Sequence, residues 1–105
     1  MLFRSVAFHP HLYSRTRDLM EDFASALATA DEVVLAPIYA AREKPLDGVS
    51  SEVLAEAVCA RGGVAQAYAG FDEIRTRLLQ EKEKTLIITM GAGDIYKVAE
   101  QLVEE

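Results

Sequence analysis

Apolar residues recur along this chain at two spacings that take turns from one end to the other. Short, nearly continuous apolar runs occupy residues 4–8, 32–36, 64–68 and 85–90. Runs of that length, apolar throughout rather than alternating with polar residues, predict strands covered on both faces. After each run the period lengthens to three or four residues. Leu19, Phe23 and Leu27 repeat in this way with Met20 and Ala24 beside them, and so do Leu54, Ala57 and Val58. Phe71, Ile74 and Leu78 form a third such stripe, and Ile95, Val98 and Leu102, with Ala99 and Val103, a fourth. Each stripe predicts an amphipathic helix. Ser14 or Thr16 is placed to cap the first helix and Ser50 or Ser51 the second, which has Glu52 in its first turn and Gly62 and Gly63 to end it. Strand then helix, repeated through the chain, predicts an α/β fold: a mainly parallel sheet with right-handed crossovers and helices on both faces. Four strands are too few to close a barrel, so the sheet is expected to be open and doubly wound.

Composition narrows the class. With 105 residues, half of them hydrophobic, the chain is expected to form a single domain, residues 1–105, with a core of its own. Seventeen Asp and Glu against eleven Lys and Arg give a net charge of -6, which disfavours nucleic acid as a partner. The single cysteine, Cys59, can form no internal disulfide and no Cys-rich zinc site. A fold standing on packing alone in a reducing, cytoplasmic compartment is the expectation. Cys59 itself, inside a helical stretch beside Val58, reads as an inert packing residue. No apolar stretch approaches the ~20 residues that span a bilayer, so no membrane partner is expected. The charged run Gln80, Glu81, Lys82, Glu83, Lys84 reads as a solvated connection.

In an open parallel sheet, ligands bind beyond the carboxyl ends of the strands, so the loops that leave those ends are where chemistry is expected. The first holds His9, Pro10, His11, Leu12, Tyr13, Ser14, Arg15, Thr16 and Arg17. Two arginines at a helix entrance oppose the helix dipole unless an anion sits there. Backbone N–H groups and the guanidinium forks of Arg15 or Arg17 would suit a carboxylate or phosphate. Pairing with Asp18, Glu21 and Asp22 on a solvated surface is the plainer alternative. His9 and His11 flank a proline and read as hydrogen-bonding loop residues rather than metal ligands or catalysts. The second loop, residues 37–49, is long, stiffened by Pro37 and Pro45, and offers Tyr39, Arg42 and Glu43 to the same edge. The third, around Gly70, is a compact turn. The fourth, Gly91, Ala92, Gly93, Asp94, lets backbone N–H groups approach an anion, or else Asp94 merely caps the last helix. It is neither a phosphate loop nor a dinucleotide fingerprint. A phosphoacceptor domain would need an aspartate after the third strand, where Tyr68 and Ala69 stand instead. The residues alone thus describe an anion-recognising domain with no catalytic set of its own and no metal site.

Three of these segments together carry a resemblance. The run from Phe8 to Leu19 (FHPHLYSRTRDL), the run from Ile38 to Gly48 (IYAAREKPLDG), and Thr89, Met90, Gly91, Ala92, Gly93, Asp94, Ile95 closely resemble the C-terminal domain of the UDP-N-acetylmuramate:L-alanine ligases, of the Mur ligase family. The likeness runs over nearly the whole chain, with the motifs in order. It implies a Rossmann-like domain that presents an incoming amino acid to an N-terminal domain binding the UDP-sugar and a central domain holding ATP and Mg2+. It implies a parent enzyme of peptidoglycan biosynthesis that activates the muramoyl carboxylate as an acyl phosphate and couples it to L-alanine. The family's first-loop basic residues bind the amino-acid carboxylate. Arg15 matches one of them, and Leu12 stands where many members have a second arginine, so His11 or Arg17 is the expected partner. Tyr13, Tyr39, Gly91, Ala92, Gly93 and Asp94 are carried over as cleft-lining positions. The family's phosphate loop, and its Asp-Asp-Tyr-x-His-x-Pro segment, do not occur in these 105 residues, so the chain alone is expected to be inactive. A free-standing, non-catalytic binding or interaction module on the same fold is the alternative.

Overall fold

The computed structural model describes residues 3–80, 85–91 and 95–104. Its strands are β1 (Phe3–Phe8), β2 (Glu32–Leu35), β3 (Ala65–Ala67) and β4 (Thr85–Met90), and its helices α1 (Tyr13–Asp18), α2 (Met20–Leu27), α3 (Ser51–Ala60), α4 (Phe71–Leu79) and α5 (Tyr96–Glu104). The strands form one sheet in the order β3-β2-β1-β4, and every pair is parallel. The α/β, Rossmann-like expectation holds.

The continuous apolar runs divide between two faces because successive side chains in a strand point opposite ways. Val6, Val33 and Leu35 face α2 and α3, packing with Ala24, Leu27, Leu54 and Val58. Ala7, Val34 and Ala36 face the other way, against Ile74 and Leu78 of α4 and Ile95, Val98 and Leu102 at α5. Leu54 and Ile74 are fully buried, one on each side. Burying such a side chain contributes roughly 1.5–3 kcal/mol. Arg77 of α4 pairs with Glu32 at the start of β2, tying that helix to the sheet.

Helix ends show where local rules hold and where they do not. Ser50 caps α3 as expected, its hydroxyl accepting the Val53 N–H at 3.1 Å, while the Ser51 hydroxyl donates to the Ala36 carbonyl. Beyond α3, Gly62 takes φ +86, and a Cβ on Gly63 would lie 2.7 Å from Val58. The first helix differs from expectation in two ways. It breaks at Leu19 (φ -110, ψ 14) into α1 and α2, and neither Ser14 nor Thr16 caps it. The cap position is Leu12, and the Thr16 hydroxyl donates back to the Leu12 carbonyl at 2.8 Å. Cys59 also departs from its reading as a packing residue. It lies on the exposed side of α3, its Sγ 3.6 Å from the Ala65 carbonyl oxygen. Of the charged run, Gln80 closes α4 and residues 81–84 lie outside the described residues.

Chain order and sheet order together locate a crevice. From β1 the chain steps through β2 to β3 along one direction, then crosses to β4 on the other side of β1. The helices that follow β1 and β4 pack on opposite faces of the sheet, and a change of face between neighbouring strands is where a ligand crevice opens in sheets of this kind.

Candidate functional site

The crevice is built on the extension of β1. Its N–H of His9 donates to the Met90 carbonyl at 2.9 Å, carrying the β1–β4 ladder one step past Phe8. On the other side, the Tyr39 N–H donates to the Pro10 carbonyl (2.9 Å) and the Leu12 N–H to the Tyr39 carbonyl (2.7 Å). The first and second loops thus run side by side through a parallel bridge between His11 and Tyr39. Leu12 then turns the chain into α1 at φ +70, ψ 135, a conformation that costs a residue with a Cβ on the order of 1–3 kcal/mol. Sparsely populated backbone of this kind is held only where its surroundings over-determine it.

Leu12 has no side chain that can accept the first N–H groups of α1, and the second loop supplies the acceptor instead. The Glu43 carboxylate accepts the Ser14 N–H at 3.1 Å through Oε1 and the Ser14 hydroxyl, in a short hydrogen bond, through Oε2. These hydrogen bonds from Ser14 hold the Glu43 carboxyl below its ordinary range. Desolvation opposes them to a lesser degree, and the Tyr13 N–H and the nearby Arg17 charge add still smaller effects in the lowering direction. A carboxylate at a helix N-terminus is also favoured by the helix dipole.

Around this frame lie the groups that line the crevice. A groove of about 300 Å3 is lined by Phe8, His9, His11, Arg15, Leu19, Phe23 and Gly91. Gly91 sits at φ +143, and a Cβ there would come 2.8 Å from the His9 carbonyl oxygen, so only glycine lets the chain pass this close to the β1 loop at the end of β4. His11 stacks on Tyr39 with ring centroids 4.9 Å apart and planes 20° off parallel. His9 meets Phe71 edge-on at 5.1 Å and Tyr39 at 6.0 Å. A neighbouring hollow of about 480 Å3 runs over His9, residues 37–41, Gly70 and Phe71. Arg15 is exposed and makes no ion pair among the described residues, whereas Arg17 is paired with Asp18 at 2.9 Å. An exposed pair such as Arg17–Asp18 contributes ~1 kcal/mol at most.

Of the residues singled out in the sequence, Arg15, His11 and Gly91 come together in one groove. Tyr39 stands behind His11 and lines the adjoining hollow. Tyr13 begins α1, half-buried, and neither it nor Arg17 lines the groove. Ala92, Gly93 and Asp94 lie outside the described residues. Phe71 and the capping role of Glu43 were not anticipated. The sequence carried no short-range signal for that cap, since its own candidates, Ser14 and Thr16, lie inside α1. No group of three His, Cys, Asp or Glu side chains converges as a metal site among the described residues. None of their helices is long and apolar enough to cross a membrane.

No protein-family model matches the chain. Among curated proteins it is 45% identical over 97 residues to the UDP-N-acetylmuramate--L-alanine ligase of Clostridium botulinum (strain Hall), covering 91% of this chain and 21% of that protein. It is 49% identical over 100 residues to the ligase of the same name from Lachnospira eligens, covering 94% and 22% respectively. Against the one from Xanthomonas campestris pv. campestris (strain B100) it is 45% identical over 104 residues, covering 95% and 21%. The chain spans about a fifth of the length of these relatives.

Proposed function

Starting from this resemblance to the C-terminal domain of UDP-N-acetylmuramate--L-alanine ligase, we propose that the chain is the amino-acid-presenting domain of such a ligase, acting in the cytoplasmic stage of peptidoglycan synthesis. The parent reaction joins L-alanine to UDP-N-acetylmuramate at the expense of ATP, by way of an acyl phosphate. ATP and Mg2+ belong to the other domains of the ligase in this reading, the 105 residues containing no phosphate loop. The domain's partners are then the N-terminal and central domains of the same ligase and the two substrates.

The observation that carries the reading is Arg15. Arg15 lines the groove at the sheet's switch point, with no carboxylate of the described residues paired to it. A planar fork of N–H donors in that position suits the carboxylate of a small amino acid. His11 lines the same groove and is the better placed second contributor, since Arg17 is engaged with Asp18.

The test is a domain graft. Residues 1–105 replace the matching C-terminal fifth of the Lachnospira eligens ligase, and phosphate release is followed with ATP, Mg2+, UDP-N-acetylmuramate and L-alanine. The reading predicts alanine-dependent release by the chimera and none above background by the 105-residue chain alone. Turnover by the chain alone, or a soluble chimera that binds both nucleotides yet ignores alanine, would refute it.

A further inference from the structure

The carboxylate of Glu43 connects two loops that are 29 residues apart in sequence. It does so at the first turn of the helix that carries Arg15. α1 is only six residues long, preceded by Leu12 in a strained conformation and without a capping side chain of its own. A helix this short is not stable by itself, and its unsatisfied N–H groups need an outside acceptor. Glu43 is the group that meets that need, accepting from both the backbone and the hydroxyl of Ser14, the residue next to Arg15. The backbone bridge between His11 and Tyr39 fixes the same two loops a few residues away, so Glu43 is the second point of a two-point attachment.

We infer that Glu43 is a positioning residue for the amino-acid carboxylate site: by capping α1 from the second loop it holds the backbone of residues 13–15 so that Arg15 keeps its place in the lining of the groove. Glu43 does not line that groove and touches no substrate in this account. The inference rests on the reading of Arg15 as the carboxylate-binding residue, and it adds a specific consequence. Loss of the cap lets α1 fray, and the cost falls on the amino acid rather than on the sugar nucleotide or ATP.

The experiment uses a full-length ligase carrying this domain, with steady-state KM values for L-alanine, UDP-N-acetylmuramate and ATP. Glu43→Ala is expected to raise the L-alanine KM roughly tenfold, with the other two KM values and kcat within about twofold. Ser14→Ala, which removes one of the two donors and leaves the fold otherwise intact, is expected to shift the same constant in the same direction by a smaller factor. In an Arg15→Ala background, Glu43→Ala should add nothing further, because the group it positions is gone. An unchanged alanine KM in Glu43→Ala and Ser14→Ala, or effects of Glu43 and Arg15 that simply multiply, overturns the positioning role while the Arg15 reading stands. If Arg15→Ala itself leaves the alanine KM unchanged, it is that reading that fails.

Discussion

At the scale of single residues, the site depends on groups held in states they would not adopt alone. Leu12 is turned to positive φ, Gly91 is pressed against His9, and the Glu43 carboxyl is kept ionised below its ordinary pKa of 4.5, chiefly by the Ser14 side-chain and backbone hydrogen bonds. The last of these has a defined pH dependence. A carboxyl whose pKa is lower folded than unfolded contributes stability that is fully present above the unfolded value and is lost as pH falls through the folded value. Glu43→Gln removes that titration. Denaturant unfolding of wild type and Glu43→Gln is therefore expected to differ by a constant amount from about pH 6 upward, with the wild-type advantage shrinking below about pH 4.5. A gap that stays constant down through the acid range would show that Glu43 is not held in its ionised form.

At the scale of elements, helix starts separate what was legible in the sequence from what was not. α3 begins with Ser50, whose hydroxyl takes the Val53 N–H, and both partners are within three residues of each other. Ser50→Ala is expected to cost about 0.5–2 kcal/mol in denaturant unfolding, with the fold unchanged by circular dichroism. A loss near zero would mean that the cap contributes nothing here. The start of α1 was not legible, because its acceptor lies 29 residues downstream and no short-range rule reaches that far. The break at Leu19 was hidden for another reason. Leu19, Phe23 and Leu27 keep helical spacing across it, and hydrogen bonds from Leu19 to Arg15 and from Phe23 to Leu19 persist, so the apolar stripe carries no sign of the change. The strands were readable because continuous apolar runs have few other uses in a small protein, but their burial on both faces holds only for the middle of the sheet. Leu86, Ile88 and Met90 of β4 are exposed, because β4 is an edge strand whose other face carries Ile87 into the core. β3 is paired over Ala65–Ala67 alone, whereas β4 at the opposite edge keeps Thr85–Met90 in full. Arg15, His11 and Gly91 were legible as a site only through strand-to-helix position. Their meeting in one groove depended on the strand order, which periodicity does not specify.

At the scale of the whole molecule, two apolar cores on opposite faces of one sheet make a rigid base from which loops at one end project. Against a net charge of -6, Arg15 is a cation that lines the groove and makes no ion pair among the described residues. The central claim is that Arg15 recognises the carboxylate of the incoming amino acid. It is tested most directly by comparing L-alanine with L-alaninamide, which lacks the negative charge, in a full-length ligase carrying this domain. Wild type is predicted to prefer L-alanine in kcat/KM by roughly ten- to a hundredfold, the worth of one charge-assisted contact, and Arg15→Ala to lose most of that preference. Undiminished discrimination in Arg15→Ala would contradict the account and place the carboxylate elsewhere.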